Sequence, residues 1–437
     1  MKHLRTVLFW ALFATALTPA IYADSTVTPA QNIKTLFLRG CMFVVSVLFT
    51  YILATSATFR TEVKERLVTL WKHPIFKIMT ALYVILLIST IFSYHPYIGF
   101  FGEPEREEGL LGLSFFYSFF LFASVLFKKK DWYTYFWVSM ASQVVVFFVA
   151  LYQFAHGLNR TNSVLGNPIY FAVYALCLLS LGILVWLEAK KGKTGFAWLA
   201  TVFNIVAVIE IFLGNTRAVL LGIFVATPIA LVYAVRHSST LFPKVPKKKI
   251  RNSVIGLCVG LAVFMGIFFA TRTATIWSHI PGLDRISAST VGDATTQSRI
   301  VSWSIALHSI NPAEESITRT LFGYGWDNYI YAWQKHYQPA LYQYDTATFD
   351  HPHNKVLDML VMNGVLGFLA YMALWYFFIR AVLKFGKHNP AGALILIFWA
   401  VAFFVQNLFA FDSITSWLLS FAFFGFIINE TTVHHEK

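Results

Sequence analysis

An uninterrupted run of about 20 apolar residues leaves a chain few choices. A bilayer core of roughly 30 Å accepts such a run as a helix, because only a helix satisfies its own backbone polar groups within one segment. This 437-residue sequence contains twelve of them, near 4–21, 34–58, 75–93, 110–127, 133–154, 168–187, 197–213, 217–235, 253–270, 355–379, 391–411 and 413–429. Only 13% of the residues are charged and 57% are hydrophobic, whereas a soluble domain carries about a quarter charged residues. A water-soluble enzyme is thereby excluded. The fold class is an all-α polytopic membrane protein of about twelve transmembrane helices.

The net charge of +13 has two readings, a nucleic-acid surface or a topological bias, and the position of the cations decides between them. With the amino terminus in the cytoplasm, 22 of the 34 Lys and Arg fall in inner segments against 6 acids, among them Lys128 to Lys130, Lys190, Lys191, Lys193, Lys247 to Lys249, and Lys437. The remaining segments hold 12 cations and 15 acids. The positive-inside rule selects this orientation. These inner patches lack interleaved aromatics, so no nucleic-acid partner is expected. Met1 to Ala23 reads as a first span or as a cleaved signal, although Ile21 is large for a residue three before a cleavage site. Cys41, Cys177 and Cys258 all lie in apolar runs without metal-like spacing, and read as small core residues.

Most connections are short, but Thr271 to Asn354 spans 84 residues on the outer side. Long loops in compact proteins are usually functional. The chain thus divides into helices 1 to 9 (1–270), a large outer loop with amphipathic helices (271–354), and helices 10 to 12 with a short inner tail (355–437). Within the loop, Ile300, Trp303, Leu307 and Ile310 predict an amphipathic helix over 298–310 that could lie along the membrane surface. Gly-bracketed Leu321-Phe-Gly-Tyr-Gly-Trp326 follows, then six Tyr and Trp between Asn328 and Tyr344. Those rings could stack on sugars or form an interfacial belt.

The densest outer polar cluster is Phe349-Asp-His-Pro-His-Asn-Lys355, which opens the tenth span. Pro352 suits a first helical turn, so His353 and Asn354 should project from a helix amino terminus, where partial positive charge favours a neutral imidazole able to accept a proton. A simple polar cap at the water interface is the alternative. Arg217 occupies a tight turn between the seventh and eighth spans, and Arg299 opens the amphipathic helix. Guanidinium forks bind phosphate oxygens in pairs, so Arg217 and Arg299 could clamp a diphosphate, with Arg106 and Arg160 as further candidates. Arg217 could equally snorkel to the interface. Glu210, two turns from Arg217, is either its structural partner or a catalytic group. There is no Gly-rich phosphate loop and no zinc-like spacing. Glu103, Glu105, Glu107 and Glu108 read as solvated charge, leaving no acidic pair for a divalent ion, and no metal or cofactor is expected.

These motifs together resemble a known family, the O-antigen ligases and Wzy-type polymerases. The resemblance rests on Ser163-Val-Leu-Gly-Asn-Pro-Ile-Tyr-Phe-Ala172, Gly214-Asn-Thr-Arg-Ala218, Ser298-Arg299 with Trp303, Phe322-Gly-Tyr-Gly-Trp326, and His353-Asn354 followed by Leu357 and Asn363-Gly-Val-Leu-Gly367. Their order, twelve spans and one large outer loop before the His carry it from about residue 100 onward. Ile169 departs from the Asn common at that position.

The resemblance implies a GT-C-like, metal-independent, inverting glycosyltransferase in the bacterial inner membrane, with its large loop periplasmic. The implied donor is an undecaprenyl-diphosphate-linked glycan; the acceptor is lipid A-core, a growing glycan or a protein hydroxyl. Arg217 and Arg299 would bind the diphosphate and His353 would take the acceptor's proton, with Arg160, Arg106, Asn354 and His351 as further substrate contacts. It is the resemblance that ranks His353 above His351. The short carboxy-terminal tail favours the ligase over protein-glycosylating relatives. A transporter of lipid-linked sugars is the rival, and it predicts mid-membrane polar groups and repeated halves.

Overall fold

The computed structural model describes residues 2–24, 28, 30–192, 195–280, 283–287 and 292–432. Lys193 and Lys437, counted among the inner cations, lie outside the described residues. The fold is a helical bundle, and no strand occurs among the described residues. Apart from the short helical turns Pro96–Phe101, Ser238–Leu241 and Leu283–Ser287, its helices in chain order are α1 (Lys2–Ala14), α2 (Asn32–Thr55), α3 (Ala57–Trp71), α4 (Pro74–Ile91), α5 (Leu110–Leu126), α6 (Lys129–Ala155), α7 (Pro168–Lys191) and α8 (Ala197–Gly214). There follow α9 (Arg217–Arg236), α10 (Lys247–Ala270), α11 (Ala294–His308), α12 (Ile317–Phe322), α13 (Tyr329–Lys335), α14 (Lys355–Phe385), α15 (Pro390–Asn407) and α16 (Ile414–Thr432).

Among the described residues ten helices are long and apolar enough to cross a membrane: α2, α4, α6 to α10 and α14 to α16. The chain is a multi-pass membrane protein. Two of the twelve predicted spans take another form. α5 is apolar but only 17 residues long, and the first run is a 13-residue α-helix continued by a tight 3₁₀ segment, Thr15–Ala20, that contains Pro19. One helix was not visible in the apolar pattern: α3 is largely polar and begins where the Ser56 hydroxyl accepts the Phe59 N–H at 3.3 Å.

Burial sorts the helices. α16 is enclosed along its whole length by α5, α7 and α14, and α10 is exposed along nearly all of its own. The core around α16 is aromatic, with Trp399 on Phe423 at 4.1 Å between ring centres and Trp375 and Phe378 both against Phe424. Cys177 is buried in the same region and accepts the Trp399 indole N–H at 3.3 Å. Because the crossings alternate, α7, α9, α14 and α16 all begin at one end of the bundle. With α2 and α5, which begin at the same end, it gathers six helix amino termini and their partial positive charge.

Candidate active site

The turn before α14 is built by its own polar side chains. Asn354 caps the helix, its Oδ1 accepting the N–H groups of Val356 and Leu357 at 3.0 and 3.2 Å. Asn354 is one of the expected substrate contacts, and its Oδ1 is engaged in the cap. Pro352 lies outside the helix, not in its first turn, because α14 starts at Lys355; its carbonyl instead accepts the Trp303 indole N–H at 3.0 Å.

His353 has φ 54°, in the left-handed region. A non-glycine residue held there carries strain of the kind found at functional sites. Its Nδ1 is 3.1 Å from the His351 carbonyl. A carbonyl only accepts, so Nδ1 carries the proton and Nε2 is left as an unprotonated acceptor. Burial, followed by the Arg299 charge, holds the His353 pKa below the ordinary imidazole value. The ring is neutral, as expected from a helix amino terminus, but the causes are burial and an arginine.

His351 has a different environment. It is buried, its Nδ1 is 3.0 Å from Asp358 Oδ1, and it stacks flat on Phe411 at 4.2 Å. Burial opposes its protonation, yet the Asp358 carboxylate prevails and raises its pKa. Arg106 is likewise engaged: its Nη2 is 2.6 Å from Asp350 Oδ2, and its guanidinium lies over Phe411 at 4.7 Å. Both candidate substrate contacts are thus held in a charged layer beside His353.

The acids of the 103–108 loop belong to this layer, which corrects their reading as solvated charge. Glu105 is exposed, but Glu107 pairs with Arg39 at 2.7 Å and Glu108 is buried. Burial pushes the Glu108 carboxyl up to about 7, and Glu103 up to about 7 with help from Asp327 and Asp350. Lys355 closes the layer, 3.6 Å from Asp412 and lodged between the rings of Trp326 and Trp417.

Next to it lies a cluster of arginines. Asn215, at φ 44°, reverses the chain after α8 so that Arg217 opens α9. Asp293 caps α11, accepting the Thr296 N–H at 2.8 Å, and lies 3.5 Å from the Arg217 guanidinium. Arg299 is in the second turn of α11. Burial lowers its pKa, as do the charges of Arg217 and Arg285, against Asp293. Burial, with Arg285, Arg217 and Arg299, brings Arg160 down to about 10. Four guanidiniums from four separate segments therefore crowd together, with Asp293 offsetting the charge of Arg217 and Arg299. Arg285, in the short helical turn Leu283–Ser287, was missed, since no periodicity or motif marks it. Mutual repulsion of this kind is relieved by a polyanion.

Other expectations resolve as local packing. Glu210 is buried and accepts Gln143 Nε2 at 2.7 Å, so Gln143 is its partner. Asn167 caps α7, its Oδ1 accepting the Ile169 N–H at 2.8 Å, which makes the Gly-Asn-Pro motif a helix start. On α11 the packed face is Ser298, Ser302, Ile305 and Ala306; Ile300 and Leu307 of the expected stripe are exposed. In the aromatic stretch Tyr329 is core, bonded to Ser302, while Tyr331 stacks on Tyr94.

The Gly motifs meet each other. The Tyr324 and Gly325 N–H groups donate to the carbonyls of Val361 and Met362, each at 2.9 Å. Gly323 (φ 76°) and Gly364 (φ 65°) sit at this contact, where a Cβ on the first would strike the Met362–Asn363 backbone and on the second Leu321. This junction kinks α14 and anchors the Phe322–Trp326 turn to it.

No curated protein matches the chain. Residues 201–372 match the family model described as O-antigen ligase. The matched segment contains Arg217, Arg285, Arg299, His351, His353 and the paired Gly motifs. Over residues 201–372 the chain therefore carries a domain of the O-antigen ligase family.

Proposed function

We propose that this protein is a metal-independent, inverting glycosyltransferase that moves a glycan from undecaprenyl diphosphate to a hydroxyl of lipid A-core at the outer face of the bacterial inner membrane. The O-antigen ligase match over 201–372 indicates ligase- or polymerase-like glycosyl transfer. The reading rests chiefly on His353, neutral and with its Nε2 unprotonated, beside Arg299 and the arginines around it.

In this mechanism the acceptor oxygen attacks the anomeric carbon from the face opposite the diphosphate. His353 Nε2 takes the hydroxyl proton as the new C–O bond forms. The bond to the leaving diphosphate oxygen breaks with its electron pair, and configuration inverts. Negative charge grows on that diphosphate, and Arg217, Arg299, Arg160 and Arg285 neutralise it, as preorganised donors do most effectively in a site shielded from water. The helix amino termini at this end of the bundle act in the same sense. These cations supply the charge neutralisation that a divalent ion provides elsewhere. The positive-inside bias of the connecting segments supports an outer-face position for this end.

The test is product formation by purified protein given lipid-linked glycan and lipid A-core in the presence of chelator. Release of polyprenyl diphosphate with a new glycosidic bond is expected. A strict requirement for added metal, or transbilayer movement of the donor without bond cleavage, would overturn the reading. Parallel reactions with a glycan or a protein acceptor separate ligase from polymerase and protein O-oligosaccharyltransferase.

A further inference from the structure

The other end of the bundle contains a cavity with its own chemistry. The junction between α3 and α4, the last turns of α14 and the end of α16 enclose about 840 Å³. Its charged lining is basic: Lys72 from the junction, Arg380 and Lys384 from α14, and Lys387 just beyond it. Arg380 and Lys384, four residues apart, share one helix face. No Asp or Glu lines the cavity among the described residues.

The wall is built by specific bonds. His73 Nδ1 accepts the Ile75 N–H at 3.3 Å, so Nε2 carries the proton and donates to Thr431 Oγ1 at 3.0 Å. The Thr431 hydroxyl in turn donates to the Ile427 carbonyl at 2.6 Å. This chain of bonds ties the end of α16 to the start of α4. Arg380 donates from Nη1 to the Tyr376 hydroxyl at 2.9 Å, which fixes its direction.

Cations at a helix carboxy terminus and on the inner face of a membrane protein have general causes. Neither cause explains a cavity of this size among them, or its apolar side formed by Phe377, Ala381 and Leu383. Leu383 and Tyr376 are 45% and 55% exposed beside it, so an apolar path leads from the cations to the bundle surface. Basic pockets between membrane helices on the inner side suit phospholipid headgroups.

We propose that this cavity binds the phosphate headgroup of an anionic phospholipid of the inner leaflet, held by Lys72, Arg380, Lys384 and Lys387, with an acyl chain along Phe377 and Leu383. The site is remote from His353. The part of α14 before Phe377 lies between them, roughly 33 Å of helix at about 1.5 Å per residue. Lipid occupancy would brace α14 against α4 and α16 without touching the reacting groups.

The experiment uses full-length protein in detergent, with lipid retention read by native mass spectrometry and thermal stability read in parallel. The probes are phosphatidylglycerol, phosphatidylcholine and inorganic phosphate. Phosphatidylglycerol should be retained and should raise the melting temperature, and the other two should do neither. Affinity should fall about fivefold for each cation removed, so Arg380→Gln with Lys387→Gln loses roughly 25-fold, while Arg380→Lys with Lys387→Arg retains binding. If the neutral double variant does not fold, Lys72→Gln, at an exposed position, reads the single-cation loss. Equal phosphatidylglycerol binding by wild type and neutral variants would overturn the proposal. So would inorganic phosphate binding as well as the lipid, which would make this a free-anion site.

Discussion

Trp303 donates its indole N–H to the carbonyl of Pro352 at 3.0 Å, and this bond ties the helix that carries Arg299 to the turn that carries His353. Trp303 lies four residues after Arg299, so both face the same way from α11. The proposed base and the proposed diphosphate clamp are thus held in register by one side chain. Trp303→Phe keeps an aromatic ring and removes the donor. It should cost about 1 kcal/mol of stability and lower kcat by roughly 10- to 100-fold through misalignment. Thermal melting and transfer kinetics on the same preparation check both.

Gly364 adopts φ 65° where Leu321 leaves no room for a Cβ. Gly364→Ala should destabilise the protein by at least 1 to 3 kcal/mol, and should free the Phe322–Trp326 turn from α14. Faster proteolysis within 317–335 in the variant than in wild type is the expected reading.

Glu108 ties stability to pH. Its folded pKa is raised from 4.5 to about 7, so the folded state favours the protonated form. The associated stability is fully present below the unfolded value and is lost as pH rises through about 7, on the order of 3 kcal/mol. Wild-type thermal stability should therefore decline between about pH 5 and 8. Glu108→Gln, which mimics the protonated acid, should make that decline shallower, leaving the part due to Glu103.

Arg299 and burial together keep His353 neutral. Removing the charge with Arg299→Gln should raise the His353 pKa toward its ordinary value. Diethyl pyrocarbonate reacts with neutral imidazole, so peptide mapping across pH should show His353 labelling begin at higher pH in the variant. Identical profiles would remove Arg299 as a cause.

The spans were legible because length and apolarity alone decide what a bilayer accepts; Arg217 and Arg299 stood out beside a turn and a helix start, whereas His353 was ranked above His351 only by the family resemblance. Much of the surrounding site was not legible. Arg106 meets Asp350 only because α14 begins where the 103–108 loop returns, and nothing local to either residue encodes that meeting. Burial of Glu108 follows from the same convergence, so a run of four Glu within six residues looked like solvated charge. Arg285 lies in a segment without periodicity, and only the fold brings it to Arg160. α3 was missed because a polar helix leaves no apolar run.

The central claim is that His353 removes the acceptor proton while the arginines hold the donor diphosphate. The most direct measurement pairs donor binding with transfer in His353→Ala, Arg217→Ala and Arg299→Ala, each reconstituted with lipid-linked glycan and acceptor. The account predicts that His353→Ala binds donor close to wild type yet forms no product, and that the arginine variants lose donor binding and transfer together. Full transfer activity in His353→Ala would contradict it.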